Sequence, residues 1–378
     1  MVLILKNQMD VSALFDHVHP TPFYLNIGDE PPPRYMYAQN WKIRSNRRVN
    51  VSLYNSGTDQ RTASLEEALW AFDQGSGLIS VKDLTCIFQK CKNMKCSTCS
   101  DRAFMLVCGN GLDAYGLLGN YIVPMFVECD NLPKARQVLW RLIDRDEYSW
   151  TSLIKGYIDS GDFYYGLDLY KSMQEDLVDA SGFTFVALLK ACAQLRLFDV
   201  GLKFHIMIIE EEYEKDPFIG NSLIYMYAKC GLFVEAQHMF YQIIDRDVVS
   251  WNTLIARYAE HGKGDEALEC FELMQREGHS PDAVTFICIL KACGSNRNAH
   301  RGKQIHNDIV RKGLLKKDMV LGSALVDMYV KCGILSKARK VLEELPVRNV
   351  ISWSALIAGY AEQDQCHEAL DCFEQMCS

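Results

Sequence analysis

Nowhere in its 378 residues does the chain hold the run of about 18–20 apolar residues that a membrane-spanning helix needs, and it opens on no signal-peptide pattern. A surplus of positive charge is also missing. Forty Lys and Arg stand against 48 Asp and Glu, a formal charge of -8, where a phosphate-dominated partner calls for a basic surface. Catalytic signatures are absent: there is no P-loop and no glycine-rich dinucleotide fingerprint. None of the nine histidines has Glu two positions on, and no proline precedes a cysteine, so the H-x-E and P-C-x-x-C segments of a zinc deaminase are missing. No alternating strand pattern occurs in 64–378. These absences predict a binding protein, not an enzyme, with no cofactor, no small-molecule substrate and no membrane partner.

What is present is a period. Trp150, Trp251 and Trp353 stand in DEYSWTSLIKGYIDSGD, DVVSWNTLIARYAEHGK and NVISWSALIAGYAEQDQ. Between them recur TFVALLKACAQL (from Thr184) and TFICILKACGSN (from Thr285), then GNSLIYMYAKCG (from Gly220) and GSALVDMYVKCG (from Gly322). The order is a triplet of unequal units: 147–181, 182–216, 217–247, then 248–282, 283–318, 319–349, and a truncated unit at 350–378. Weaker units precede them at 81–115 and 116–146, and SLEEALWAF at 64–72 is read as a remnant within 61–80.

Each unit reads as two helices. In 248–282, Trp251, Leu254, Ile255 and Tyr258 share one face of a first helix, and Ala267, Phe271 and Met274 line a second. Gly262 and Gly264 are expected to separate them, with Asp265 as N-cap, and Gly278 and Pro281 to end the pair. Pro124 lies inside a first helix and predicts a bent unit. One helical hairpin cannot bury both faces, so neighbours must stack. The fold class is therefore all-α: a right-handed α-solenoid of helix–turn–helix repeats, about nine to ten units with the first and last incomplete. Residues 1–60, with Pro20, Pro22 and Pro31-Pro32-Pro33, read as a flexible arm. Its basic residues Arg34, Lys42, Arg44, Arg47 and Arg48, with Arg61 just beyond, suit a solvated tail as well as contact with a polyanion.

The 35-residue unit SWNTLIARYAEHGKGDEALECFELMQREGHSPD resembles the standard pentatricopeptide repeat. The LLKAC/ILKAC and GKQIH units resemble its long form, and the 31-residue MYAKCG/MYVKCG units its short form. The triplet order is similar to the plant organellar subclass, without the C-terminal deaminase region that many such relatives carry. The resemblance implies single-stranded RNA as partner, one nucleotide per unit, read by the fifth and last residues with the second residue packed against the base. Carried over, it implies Asn120 with Asp146, Thr151 with Ser181, Asn221 with Asp247, Asn252 with Asp282, and Ser323 with Asn349, and Ser354 unpaired. Long units place Val186 and Ile287 at the fifth position, where neither can hydrogen-bond a base. The second positions Leu117, Phe218, Val249, Val320 and Ile351 have an equal claim to inter-repeat packing; any one boundary Asn or Asp more often caps a helix than reads a base, and it is the recurrence of the pairs in one register that favours reading.

By the same resemblance, Asn with Asp prefers uracil and Ser with Asn adenine, giving U, purine, any, U, U, any, A, purine from the unit at 116. A mitochondrial or chloroplast location is implied too, although Lys6 against Asp10, Asp16, Asp29 and Glu30 departs from a transit peptide. The implied role is an adaptor in RNA processing or C-to-U editing-site choice, with an editing or processing enzyme recruited in trans. The alternatives are a protein-interaction scaffold or a truncated product, since the chain stops mid-repeat at Ser378.

Most of the fifteen cysteines recur at repeat positions and read as reduced packing residues. Cys86 and Cys91 match Cys288 and Cys293. Cys96, Cys99 and Cys108 match nothing, and Cys96-Ser-Thr-Cys99 has the spacing of a zinc half-site without a nearby histidine. No metal is predicted. His205 and His306, at equivalent positions, read as packing residues.

Overall fold

The computed structural model describes residues 81–109, 116–316 and 318–377. The 1–60 arm, the 61–80 remnant and the Leu117 side chain lie outside the described residues. Among those described there are eighteen α-helices and no strand. They pair as α1 (Val81–Met94) with α2 (Ser97–Gly109), α3 (Gly116–Glu128) with α4 (Leu132–Arg141), and α5 (Glu147–Asp159) with α6 (Phe163–Glu175). Next come α7 (Gly182–Leu195) with α8 (Phe198–Glu210), α9 (Pro217–Lys229) with α10 (Phe233–Gln242), and α11 (Val248–Glu260) with α12 (Gly264–Arg276). The last are α13 (Ala283–Ser295) with α14 (Ala299–Arg311), α15 (Met319–Lys331) with α16 (Leu335–Glu344), and α17 (Val350–Glu362) with α18 (Cys366–Cys377).

The helices gather into two compact units, one reaching Leu195 and including Val200–Met207, the other formed by Arg196–Asp199 and the chain from Ile208. Within the first, α1, α3, α5 and α7 pack successively; within the second, α9, α11, α13, α15 and α17 do so. This is the stacking that an α-solenoid uses to bury the faces a single hairpin leaves open.

The fourth residue of each helix pair explains how unequal repeats share one frame. Trp150, Phe185, Trp251, Phe286 and Trp353 are buried there, and Trp251 meets Phe240 of α10 with ring centroids 4.6 Å apart. Gly119, Gly220 and Gly322 take the same place in the pairs whose second helix is only ten residues long. A Cβ at Gly220 would come within 2.9 Å of Ile243, the residue ending α10. The short pairs therefore fill the core with the residue after the second helix, not with an aromatic on the first. Long pairs add 3-10 turns at Tyr213–Lys215 and Leu314–Lys316 after their second helices.

Two local expectations are corrected. Asp265 does not cap α12: the N-cap is Lys263, which offers no side-chain bond, while Asp265 lies in the first turn and accepts from Asn296 Nδ2 at 2.9 Å. Only Gly262 belongs to the turn, at φ +72°, and Gly264 already begins α12. Its lack of a side chain serves packing, since a Cβ there would strike Asn296. Helix α3 carries Pro124 inside it, where the sequence placed it, and runs on to Glu128.

Candidate nucleic-acid interface

Six first helices, α5, α9, α11, α13, α15 and α17, open on a side-chain cap, and in each the cap is the last residue of the preceding repeat. Asp146, Asp247, Asp282 and Asn349 accept from the backbone N–H three residues on, at 2.8–2.9 Å. The capping role weighed against base reading is thus real at all four positions. It does not exclude the other role, because a carboxylate has further acceptor sites.

At Asp282 the cap also meets the fifth residue of its own unit, Asn252. Asn252 Nδ2 donates to Asp282 Oδ1 at 3.1 Å, and Thr285 Oγ1 lies 2.6 Å from Asn252 Oδ1 and 2.8 Å from Asp282 Oδ1. An ionised Asp only accepts, so the amide nitrogen must face it and the amide oxygen must face Thr285. One amide N–H and an oxygen lone pair then remain for a base edge. Burial pushes the Asp282 carboxyl upward, but the Thr285 N–H, the Thr285 hydroxyl and the Asn252 amide outweigh it and hold the group below its ordinary value. Ser323 and Asn349 also meet directly, with Asn349 Nδ2 3.0 Å and Oδ1 3.2 Å from Ser323 Oγ.

The other pairs are joined differently. Ser149 bridges Asn120 and Asp146, its hydroxyl donating to Asn120 Oδ1 at 3.2 Å and its N–H to Asp146. The pair borders a cleft of about 550 Å³ that Phe88, Lys92 and Tyr148 also line, with Lys92 Nζ 3.4 Å from the Tyr148 hydroxyl. Thr151 and Ser181 do not bond each other. Both donate to Glu147 Oε1, and both lie within hydrogen-bond distance of the Thr184 hydroxyl. Asn221 Oδ1 is buried without a partner, while Asp247 Oδ1 is occupied by the N–H and hydroxyl of Ser250. Ser354 is exposed.

Second-position residues resolve clearly. Tyr148, Phe183, Phe218, Val249, Val284, Val320 and Ile351 are all exposed, from 49% at Tyr148 to 72% at Phe183. These side chains, one per repeat, are thus about half or more open to solvent, so burial in the core is not their main role. Charge near the far ends of the first helices is internally compensated, by Lys190–Asp159 in one unit and Lys229–Glu260 and Lys331–Asp327 in the other.

Two sets of residues were not singled out from the sequence. The third-position hydroxyls Ser149, Thr184, Ser250, Thr285 and Ser352 are wholly buried, and several touch the fifth or last residue of the preceding repeat. Their signal was a Ser or Thr directly before each fourth-position aromatic. Glu147 gave none, since no other unit begins with an acid. His306 shares a proton with the Tyr329 hydroxyl at 2.9 Å, and burial lowers its affinity for a second proton. His205 is buried, and all fifteen cysteines are free. No three metal-ligating side chains converge closely enough for an ion among the described residues.

Comparison with known proteins meets this geometry. The PPR repeat description matches residues 148–176, 221–248, 323–350 and 351–378, and the PPR repeat family description matches 246–295. The chain is a PPR-repeat protein. A putative pentatricopeptide repeat-containing protein of Arabidopsis thaliana is 36% identical over 276 residues, 72% of this chain and 40% of that protein. A second from the same plant, named as mitochondrial, is 36% identical over 70% of this chain and 26% of its own length. A third, named as chloroplastic, is 31% identical over 77% of this chain and 47% of its own length. This PPR-repeat chain thus spans between a quarter and a half of these relatives. The crystal structure of PPR10 in complex with an 18-nt psaJ RNA element matches with a TM-score of 0.65 at 18% identity, over 83% of this chain and 47% of that one. That likeness is one of fold.

Proposed function

We propose that the chain binds single-stranded RNA, with each standard or short unit taking one base, and selects a site on an organellar transcript for an editing or processing enzyme that acts in trans. The observation that carries this reading is the Asn252–Asp282–Thr285 arrangement beside exposed Val249 and Val284. A packing role would bury the valines and leave the amide free to rotate. Here an oriented amide sits beside exposed apolar side chains, which is what recognition of a single base needs: one edge to hydrogen-bond and one face to cover.

The pairs Asn120/Asp146, Asn221/Asp247 and Asn252/Asp282 would take uracil, Ser323/Asn349 adenine, and Thr151/Ser181 a purine. Long units with Val186 and Ile287 act as spacers. Base-edge recognition is compatible with the net charge of -8, because net charge does not report the charge along a binding face. Homologues named as mitochondrial and chloroplastic support an organellar setting. The test is binding of a U-N-N-U-U-N-A oligonucleotide against a scrambled one at moderate salt. A preference of about tenfold is expected, from roughly 1–3 kcal/mol per good bidentate contact, and equal binding overturns the reading.

A further inference from the structure

The Cys96-Ser-Thr-Cys99 segment has no role in base reading, and its cysteines do not belong to the repeat pattern. Register places Asn298 and Arg301 at the equivalent positions of the unit at 283, five and eight residues after Cys293, as Cys96 and Cys99 follow Cys91. Asn298 caps α14 there, accepting from Arg301 N at 3.1 Å. Asn131 and Asp162 cap α4 and α6 the same way, at 3.3 and 3.4 Å. In the unit at 81 the acceptor is sulfur: Cys96 Sγ accepts from Cys99 N at 3.4 Å and lies 3.3 Å from Thr98 Oγ1. A neutral thiol accepts weakly and a thiolate strongly, so a cap site built for oxygen favours the ionised form of this sulfur. The positive end of α2 acts in the same direction.

We propose that Cys96 and Cys99 are a redox-active dithiol that closes to a disulfide by exchange with glutathione disulfide. Cys96 stands directly before α2 and Cys99 lies in its first turn, with Cys99 N 3.4 Å from Cys96 Sγ, so a small backbone adjustment can bring the two thiols to disulfide geometry. Both are partly exposed, whereas Cys91 beside them is buried. A hydrogen bond from the Cys99 thiol, then one from the Thr98 hydroxyl, pulls the Cys96 thiol below its usual value, and burial pushes Cys91 up to about 12. Cys129 is also pushed up by burial and lies against Ser100 Oγ at 3.1 Å. Of four neighbouring thiols, Cys96 is the nucleophile and Cys91 and Cys129 are inert. The nearby charges are the Lys134–Asp101 and Lys95–Glu128 pairs.

The exchange balances without another reactant. Cys96 thiolate attacks one sulfur of glutathione disulfide, whose S–S bond breaks to release a glutathione thiolate that takes up a proton. Cys99 then loses its proton and attacks the Cys96 sulfur, forming the Cys96–Cys99 bond and releasing the second glutathione as thiol. Two electrons and two protons pass from the protein dithiol to glutathione. Nothing in this chemistry depends on RNA binding, so the two readings fail separately.

The test uses the full chain, reduced and then equilibrated in glutathione mixtures, quenched by alkylation and mapped by peptide mass spectrometry. The expected product is a Cys96–Cys99 disulfide, and in the reduced chain Cys96 should alkylate at neutral pH several-fold faster than exposed Cys86. Cys99→Ser should trap glutathione on Cys96. Cys96→Asn restores the oxygen cap, so it should fold normally and lose both the disulfide and the fast alkylation. The proposal is overturned if Cys96 reacts no faster than Cys86 and no Cys96–Cys99 bond forms, or if the reduced chain holds one zinc per molecule on these thiols.

Discussion

The units at 147–181 and 248–282 have the same length, the same buried fourth-position tryptophan and the same buried third-position threonine after them, yet their proposed base sites are wired differently. In the later unit, Asp282 itself meets the fifth residue, Asn252, and fixes its amide. In the earlier one the last residue is Ser181, and the carboxylate comes from Glu147 at the start of the helix, accepting from both Thr151 and Ser181. A carboxylate against the fifth residue is retained while its place in the sequence moves by a whole repeat. Its position still matters: Asp282 orients an amide that has two distinguishable ends, whereas Glu147 takes the only proton of a hydroxyl. Thr151 is then left to a base as an acceptor, unless the base displaces Glu147.

The frame beneath the two sites should respond alike. Trp150→Ala and Trp251→Ala each remove a fully buried indole, and each is expected to cost about 3–5 kcal/mol, read from the shift in urea midpoint. A difference above about 1 kcal/mol between them would show that the two pairs are not equivalent scaffolds. Next in size is Asn252→Ser. It keeps Asp282 and Thr285 but removes the oriented amide, and should move the preference at that base from uracil toward purine by about tenfold, with the Thr151 position unchanged in the same selection. Unaltered preference at both positions would argue for a protein-binding face. Glu147→Gln keeps the shape and removes the charge, so the Thr151 and Ser181 contacts weaken without being lost. Discrimination at the Thr151 position should fall by about threefold, in line with charge-assisted bonds being roughly twice as strong as neutral ones. An equal fall at the Asn252 position would sink the idea that Glu147 acts locally.

The helical hairpins were legible because their signals are local and repeated: four apolar residues on one face of α11, and a Gly or polar turn after each first helix. Asp265 misled because an acid near a helix start satisfies the composition of a cap, and only the backbone shows that the cap lies two residues earlier, at Lys263. The base-reading pairs came from family resemblance, not from any physical pattern in the residues. Whether two side chains 30 residues apart touch depends on how neighbouring helices stack. That is why Asn252–Asp282 and Asn221–Asp247, identical on paper, differ: the Asp247 oxygen bonds Ser250, and Asn221 Oδ1 is left without a partner. The exposure of Val249 and Phe218 was equally out of reach, since an apolar residue two places into a helix reads as core.

The smallest expected effect concerns the charge on Asp282. Its folded value is held below the ordinary 3.8, so the ionised group stabilises the fold above that ordinary value. The stabilisation is lost as pH falls through the depressed folded value, that is, below the usual carboxylate range. Asp282→Asn isolates the charge, because Asn caps a helix about as well as Asp. The stability gap between the two proteins should stay flat from about pH 7 to pH 5 and close only in more acid solution. Its size should remain under about 1 kcal/mol, since Asp282 is exposed and solvent screens it. Thermal unfolding of both proteins across that range measures it. A gap that closes already between about pH 7 and pH 5 would mean that Thr285 and Asn252 do not hold the carboxylate, and with it would go the oriented amide that distinguishes this site from the one at Thr151.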